Sequence, residues 1–357
     1  MRIAVLGVGL IGGSIGLAVG RRAHAQVSGY DPDERVLAKA LQLGAIDHAC
    51  ADVAEAVREA DVVFVAAPVG ALAQTVRQAL AGAGADCVVS DVGSTKRVLA
   101  EAGADERFIG GHPLAGAESS GVEHAREDLF EGAVWYLTPA ANSTGVLYER
   151  LHRLLTTIGA RPVAIDAETH DRLLAAVSHL PHVLANVLAA QAANTLDEAA
   201  EGRLPAVGPS FRDATRVAGA NSAIWTDIYL SNRDALIAAI DAFAAALGDV
   251  RATLAAGDAP GVAAWNDNAR ADRDELLGAG LTGGPVGELR ASVPNRPGVI
   301  AEIALALGRA GVNIIDMALS PSEDNRQGVV ALWIGGDEQV ERAERLIGEL
   351  GFPVARA

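Results

Sequence analysis

The sequence predicts an α/β domain, followed by an all-α domain and a small βαββαβ domain. Three observations lead to this fold class. Short apolar strand patterns alternate with helical patterns over residues 1–166. Residues 167–277 change to long apolar helices without strands. A glycine-rich linker, 278–286, then leads into residues 287–357, where strand and helix patterns follow the βαββαβ order of the ferredoxin-like fold.

Composition narrows the class of protein. The chain has 357 residues, 50% of them hydrophobic and 21% charged, which is typical of a globular protein of two or three domains. Its net charge of −16 argues against nucleic-acid binding, which depends on neutralising phosphates. Cys50 and Cys87 form no motif, as expected in a reducing cytoplasm. The uncharged run 3–20 is superficially like a membrane segment. Its glycines are spaced as in a glycine-rich turn that leads into a helix, so we expect no membrane anchor.

The first strand pattern runs directly into a glycine motif and then a helix. The motif consists of Gly7, Val8, Gly9, Leu10, Ile11 and Gly12. In a Rossmann-type dinucleotide-binding domain, Gly7 allows the tight turn, Gly9 lets the backbone approach a pyrophosphate, and Gly12 lets the helix pack on the strand. The helix N-terminus then offers free N–H groups to the phosphates.

The next two strands add to the expected cofactor site. One ends at Asp31, about 20 residues after the glycine motif, where a carboxylate can accept hydrogen bonds from the adenosine ribose hydroxyls. Its charge would repel a 2′-phosphate, so the sequence favours NAD over NADP. The other ends at Ala67 and Pro68, near where the cofactor is expected. A glycine-rich turn in another kind of α/β protein is the alternative interpretation.

Two polar residues near later strand ends are candidates for chemistry. Ser94 follows a strand and precedes Lys96 and a predicted helix, so it is either an N-cap or a hydroxyl facing the nicotinamide. His112 is expected just after the strand pattern Arg107–Ile109, among small residues that let two molecules approach its ring. It is a candidate proton acceptor, and a structural histidine in a glycine-rich turn is the alternative.

Three histidines, His170, His179 and His182, open the helical region. Pro181 cannot donate a backbone hydrogen bond, so we expect a kink there that directs one imidazole into a cleft. His179 and His182 could share a helical face. Because no acidic or cysteine ligand accompanies them at a zinc-like spacing, we predict no metal site, and satisfied core histidines are the alternative.

Two further features of the helical region concern ligands and partners. Arg212 and Arg216, four residues apart, suit either bidentate binding of a substrate carboxylate or surface ion pairs. The helical patterns Arg172–Leu196 and Ala235–Leu254 have more apolar surface than one small domain can cover. This surplus predicts packing against a second subunit in a homodimer.

Five motifs together resemble the prephenate/arogenate dehydrogenase family, and the C-terminal segment resembles an ACT regulatory domain. The motifs are Gly7-Val8-Gly9-Leu10-Ile11-Gly12-Gly13-Ser14, Asp91-Val92-Gly93-Ser94-Thr95-Lys96, Gly111-His112-Pro113-Leu114-Ala115-Gly116, Ser178-His179-Leu180-Pro181-His182 and Thr215-Arg216. The resemblance covers essentially the whole chain. It implies NAD-dependent oxidative decarboxylation of prephenate to 4-hydroxyphenylpyruvate, on the route to tyrosine. It also implies that His112 takes the proton of the ring C4 hydroxyl as hydride leaves C4, with Ser94 supporting that hydroxyl.

The resemblance extends to the residues that hold the substrate. His182 and Arg216 match positions that bind its carboxylates, His179 matches a support for them, and Glu118 matches an acidic residue near the pocket mouth. Ala117 stands where many relatives carry a hydroxyl residue. That departure leaves the preference between prephenate and arogenate open.

For the C-terminal domain, the resemblance implies an amino-acid sensor, with Asn295 and Gly298 at the helix start and tyrosine as the effector. A domain that only adds dimer contacts is the alternative. Two other functions stay open: an arogenate or related dehydrogenase acting on a different carboxylate, and a non-catalytic amino-acid sensor on the same fold. The joint presence of four candidate site residues argues against the sensor: Ser94, His112, His182 and Arg216.

Overall fold

The computed structural model describes residues 1–116, 120–199, 207–278, 286–322 and 326–357. The chain divides into two compact units: Met1–His170 with Thr282–Ala357, and Asp171–Leu281. The strands are β1 (Arg2–Leu6), β2 (Gln26–Tyr30), β3 (His48–Ala49), β4 (Val62–Val65), β5 (Val88–Asp91), β6 (Ile109–Pro113), β7 (Val134–Pro139), β8 (Arg161–Ala164), β9 (Val286–Pro294), β10 (Ile314–Pro321), β11 (Gln327–Gly335) and β12 (Val354–Arg356). The helices are α1 (Leu10–Arg22), α2 (Glu34–Leu43), α3 (Val53–Val57), α4 (Val69–Gly82), α5 (Gly145–Thr157), α6 (Ala167–Leu174), α7 (Leu180–Ala199), α8 (Pro209–Thr215), α9 (Ser222–Ser231), α10 (Arg233–Ala255), α11 (Ala259–Gly278), α12 (Val299–Arg309) and α13 (Asp337–Glu349).

The N-terminal region contains a parallel sheet in the order β3-β2-β1-β4-β5. Its central strands β1 and β4 are almost continuously apolar and buried, as strands covered on both faces must be. The strand order reverses between β1 and β4, and ligands bind at such a switch point. The predicted Rossmann-type fold is confirmed.

A second sheet, in the order β6-β7-β8, continues beside β5. His112 lies inside β6, opposite Tyr136 of β7, so its predicted position beyond a strand ending at Ile109 is wrong. The pairing with β7 extends the strand through Gly110 and Gly111, which have low strand propensity. A side chain at Gly110 would meet the Thr138 hydroxyl at 2.2 Å, so this close approach requires glycine.

The segment after Lys96 also differs from expectation. Two 3₁₀ turns, Arg97–Leu99 and Ala102–Ala104, replace the predicted helix. Gly103 lowers the helix propensity of this segment. The first turn begins after Lys96, so Ser94 is not its N-cap.

The C-terminal sheet has the antiparallel order β10-β11-β9-β12, with α13 packed on it and α12 packed beside α13, and confirms the ferredoxin-like prediction. This domain shares one apolar core with the N-terminal region, where α5 packs on β10 and α12. Both ends of α12 come close to the N-terminal backbone. A side chain at Gly298 would lie 2.0 Å from the Ala141 oxygen, and one at Gly308 would lie 1.8 Å from the Ala164 oxygen.

The helical unit begins with an irregular segment. Residues Ala175–His179 form a π-helical turn that leads into α7. Pro181 has no N–H to donate one turn back, which accounts for the predicted break in the regular helix. The continuous stretch Ala167–Thr195 is long and apolar enough to cross a membrane by length and composition, and one such stretch is weak evidence for a membrane span.

Where α5 meets the C-terminal sheet, His152 is buried and gives stability a specific pH dependence. Burial lowers the pKa of its imidazole to about 4, although the Asp316 carboxylate acts in the opposite direction. The unfolded chain has the ordinary value of about 6.5, so the stabilisation is complete above that pH and is lost as the pH falls from about 6.5 to about 4. The loss amounts to roughly 3 kcal/mol, since one pKa unit corresponds to about 1.36 kcal/mol.

Urea unfolding of wild type and His152→Leu between pH 7 and pH 4.5 measures this contribution. The free energy of unfolding is expected to fall more steeply with decreasing pH in the wild type than in the variant. His124→Leu, which replaces an exposed histidine, is the matched control and is expected to follow the wild type. Equal slopes for wild type and His152→Leu would show that the His152 ring is not held neutral by burial.

Candidate active site

The ends of neighbouring strands meet at one edge of the N-terminal sheets. Gly7 follows β1, Ala67 and Pro68 follow β4, Ser94 follows β5, and His112 lies near the end of β6. The strand β6 runs parallel to β5 at its start, through the bridge between Val89 and Phe108, so these ends share one edge. The carboxyl ends of parallel strands are where such folds bind ligands.

The glycine motif has the backbone geometry that a dinucleotide requires. Gly7 has φ +92°, and a side chain there would lie 2.6 Å from the Ala66 oxygen. A side chain at Gly12 would lie 1.9 Å from the Gly7 oxygen, so glycine is required for α1 to pack on β1. Gly9, by contrast, faces open space within 4 Å of its missing Cβ. The motif is therefore closed on the protein side and open where a pyrophosphate would approach the N-terminus of α1, at Leu10 and Ile11.

Asp31 is fixed beside this motif. Its Oδ2 accepts a hydrogen bond from the Val8 N–H at 2.9 Å, and its Oδ1 accepts one from the Asp33 N–H at 3.0 Å. A carboxylate can accept about four hydrogen bonds, so capacity is left for two ribose hydroxyls. Ala67 and Pro68 lead from β4 into α4 across the switch point. These residues fit NAD.

A buried ion pair holds the strand that carries His112. Asp91 and Lys96 form a salt bridge with side chains that are 0% and 1% exposed. The Asp91 carboxylate also accepts hydrogen bonds from the N–H groups of Gly93 at 2.8 Å and Gly111 at 3.0 Å. The Lys96 ammonium donates to the Gly111 oxygen at 2.6 Å. The pair therefore holds both sides of Gly111, directly before His112.

His112 is paired with a second histidine. Its Nδ1 lies 2.9 Å from Nε2 of His170, and the two rings meet edge to face. His170 is fully buried and also packs edge-on against Tyr136, whereas His112 keeps 9% of its surface exposed. Nδ1 of His112 is therefore engaged by His170, and which of the two rings donates this hydrogen bond depends on their tautomers.

The structure describes one of two other predicted site residues, Ser94, and does not describe the other, Glu118. Ser94 is half-buried in the loop after β5, between Gly93 and the buried Thr95. Glu118 lies outside the described residues, as does Ala117.

In the helical unit, His179 and His182 both contact Trp225. His182 stacks on the indole with ring centroids 3.5 Å apart, and His179 meets it edge-on at 6.1 Å. His179 is buried and its Nδ1 lies 3.2 Å from the Asn232 amide nitrogen. His182 instead lines a cavity of about 180 Å³ together with Asn186. The two histidines share a face, as predicted, and His182 is the one that opens to a cavity.

Burial and a neighbouring arginine set the charge state of His182. Burial lowers the pKa of the His182 imidazole, the backbone of Val217 acts in the opposite direction, and Arg216 lowers it further. His182 is thus a neutral hydrogen-bonding group near pH 7, and Arg216 is the cation beside it. Arg212 and Arg216 are both exposed. Among the described residues, no group of three His, Cys, Asp or Glu side chains is placed to hold a metal ion.

Three family models match consecutive parts of the chain. Residues 15–164 match the nucleotide-binding domain of prephenate dehydrogenase, residues 166–266 match its dimerization domain, and residues 287–351 match the ACT domain. The order of the three agrees with the predicted order of domains.

Similar proteins point to the same family. Prephenate dehydrogenase from Bacillus subtilis is 32% identical over 359 residues, covering 97% of this chain and 95% of that protein. The structure of prephenate dehydrogenase from Aquifex aeolicus with hydroxyphenyl propionate and NAD+ has a TM-score of 0.69 at 27% identity, over 77% of this chain and 98% of that one. Arogenate dehydrogenase from Synechocystis has a TM-score of 0.69 at 27% identity, over 77% and 100%. With the fold, the glycine motif and the His112 site already in place, these matches show that the chain belongs to the prephenate dehydrogenase family and carries a C-terminal ACT domain.

Proposed function

We propose that the chain catalyses the NAD-dependent oxidative decarboxylation of prephenate to 4-hydroxyphenylpyruvate. The observation that carries the proposal is the buried His112–His170 pair at the edge where the cofactor motif ends. An NAD-dependent dehydrogenase of this family needs a base beside its cofactor, and His112 is the imidazole of the pair that keeps some exposed surface, 9%, at that edge.

The proposed mechanism assigns each proton to an atom. We assign neutral His112 the tautomer in which Nδ1 donates to Nε2 of His170, 2.9 Å away, so that Nε2 of His112 is the base. That nitrogen accepts the proton of the substrate's C4 hydroxyl, and Ser94 supports the same hydroxyl. The glycine motif and Asp31 would hold NAD, which would supply the acceptor for the hydride that leaves C4. Loss of the ring carboxylate as CO₂ then leaves its bonding electrons in the ring, which becomes aromatic, and the C4 oxygen takes the proton back from Nε2 of His112 as the phenol hydroxyl. Aromatisation drives the reaction.

The same proposal assigns the residues that bind the substrate's carboxylates. Arg216 supplies the positive charge, and neutral His182 supplies a hydrogen bond, since its pKa is lowered by burial. His179 supports this arrangement through its contacts with Trp225 and Asn232. Glu118 keeps its place in the proposal as an acidic residue at the pocket mouth.

Steady-state assays with prephenate and with arogenate test the substrate. We expect kcat/KM for prephenate to exceed that for arogenate, because the Bacillus subtilis prephenate dehydrogenase matches this chain over nearly its full length. NADH formation is followed at 340 nm with either substrate. Turnover with arogenate alone would move the specificity to arogenate and leave the proposed chemistry in place.

We further propose that the ACT domain binds an amino acid, with tyrosine as the feedback effector. A cavity of about 380 Å³ lies between its first loop and the N-terminal end of α5. Asn295, Arg296 and Glu106 line it, offering an amide and both signs of charge to a zwitterion. The Gly298 N–H donates to the Ser143 oxygen at 3.0 Å, so Gly298 fixes the loop beside the cavity.

Assembly and location complete the proposal. The helical unit leaves large apolar side chains exposed, among them Val177, Val187, Leu188, Leu230, Ile237, Leu247 and Leu254. This surface and the matched dimerization domain support a homodimer.

Both cysteines are free thiols, in keeping with a cytoplasmic enzyme. We keep the domain boundaries 1–166, 167–277 and 287–357, and the linker 278–286 lies largely outside the described residues.

A further inference from the structure

We infer that Asp166 and Arg309 are positioning residues through which the ACT domain fixes the orientation of the catalytic histidine pair. The inference rests on the proposed role of His112 as the base. It assigns the ACT domain a part in the basal reaction, through one ion pair and one helix cap, in addition to any effector response.

The ion pair joins the two domains of the same compact unit. Arg309 is the last residue of α12 in the ACT domain, and its Nε and Nη2 atoms both lie 3.2 Å from Oδ2 of Asp166. Asp166 follows β8 in the N-terminal region. Directly beside this pair, Gly308 brings the backbone of α12 against the Ala164 oxygen. The end of α12 is therefore held to the segment between β8 and α6.

Asp166 in turn starts the helix that carries His170. Its other carboxylate oxygen, Oδ1, accepts the Thr169 N–H at 2.9 Å, and its backbone oxygen accepts the His170 N–H at 2.9 Å. These are the bonds of an N-cap residue, which fixes the first turn of a helix. His170 lies in that turn and its ring holds Nδ1 of His112. Three links thus connect Arg309 to the proposed base: the ion pair with Asp166, the helix cap that fixes His170, and the contact between His170 and His112.

The opposite end of α12 lies at the ACT cavity. Val299 and Ile300, its first two residues, line that cavity, and Gly298 is bonded to the Ser143 oxygen. Because a helix of 11 residues moves as a rigid element, a ligand that shifts the cavity end of α12 also shifts its other end, where Arg309 lies. The contacts therefore join the proposed effector site to the His112–His170 pair.

Solvent exposure of the Arg309–Asp166 ion pair limits how much its loss can change. The Arg309 side chain is 60% exposed and that of Asp166 is 28% exposed, and ion pairs of this kind contribute little to overall stability. Orientation of a base is more sensitive than stability to small displacements. We therefore expect kcat to fall about two- to tenfold when the pair is broken, with little change in melting temperature.

Four single variants, and a double variant that combines Arg309→Met with Asp166→Asn, test the inference. Arg309→Met removes the positive charge of this side chain, whereas Arg309→Lys keeps it. Asp166→Asn keeps an N-cap acceptor but removes the carboxylate, because Asn caps helices about as well as Asp. Arg290→Met is the matched control, since Arg290 is 61% exposed and pairs with Glu288 of its own strand. The readouts are kcat with prephenate, KM for NAD, and the ¹H–¹⁵N signals of the His112 and His170 imidazoles.

We expect lower kcat, unchanged KM for NAD and shifted imidazole signals in Arg309→Met and Asp166→Asn. The double variant is expected to be no worse than either single one, because both break the same pair. Arg309→Lys is expected to keep most of the wild-type kcat. A kcat for Arg309→Met equal to that of Arg290→Met, with unmoved imidazole signals, would overturn the inference. A wild type inactive on both substrates would instead overturn the proposed function, and the imidazole signals would still decide the role of Arg309.

Discussion

Replacing His112 by Asn is expected to lower kcat about 10²–10⁴-fold, the range that general-base catalysis supplies. Asn has a similar size and can still form a hydrogen bond, but it cannot accept a proton near neutral pH. The glycine motif and Asp31 are untouched by this change, so NAD binding is expected to be unchanged. Stopped-flow or steady-state formation of NADH measures the first effect, and isothermal titration with NAD measures the second.

His124→Asn is the control for this experiment, because His124 is an exposed histidine elsewhere in the N-terminal region. It is expected to keep wild-type turnover. Near-normal turnover in His112→Asn would remove His112 from the chemistry. If both NAD binding and turnover are lost, the substitution acts on the fold of the site.

Lys96→Met is expected to destabilise the protein by about 3–5 kcal/mol, the cost of leaving one member of a buried ion pair uncompensated. Asp91 is fully buried and would lose the ammonium that neutralises it. Domains have total stabilities of about 5–15 kcal/mol, so this loss is a large fraction. The same change removes the hydrogen bond to the Gly111 oxygen and loosens the strand before His112.

Lys39→Met provides a matched control, because Lys39 and Lys96 are the chain's two lysines and Lys39 is exposed. Its expected effect is within about 0.5 kcal/mol. Urea unfolding followed by circular dichroism compares the two variants. A Lys96→Met protein as stable as Lys39→Met would mean that the buried ion pair does not stabilise the fold.

The local rules of the chain made the main elements of the fold predictable. The glycine motif, the acidic residue after β2 and the alternation of strands and helices predict the central sheet, which the structure confirms. The βαββαβ order of the C-terminal segment is confirmed as well. Pro181 predicts an irregular helix because it lacks a donor, and a π-helical turn is found just before it.

Features that depend on long-range contacts were not predictable. His112 lies inside a strand because β7, more than 20 residues later, pairs with two glycines that carry little strand propensity of their own. His170 is 58 residues from His112 in sequence, and only the fold brings their rings together. Lys96 gave a weak signal, as one of two lysines in the chain, but its burial against Asp91 was not visible. The docking of α12 against Ala141 and Ala164 depends on backbone contacts that no sequence pattern specifies.

The central claim is that His112 accepts the C4 hydroxyl proton while NAD is reduced and the ring carboxylate is lost. The most direct measurement is the stoichiometry of NADH and CO₂ released from prephenate by the purified protein. One CO₂ for each NADH, with 4-hydroxyphenylpyruvate as the product and no reaction beyond background in His112→Asn, is the predicted result. No NADH from prephenate or arogenate, in protein that still binds NAD, would contradict the claim.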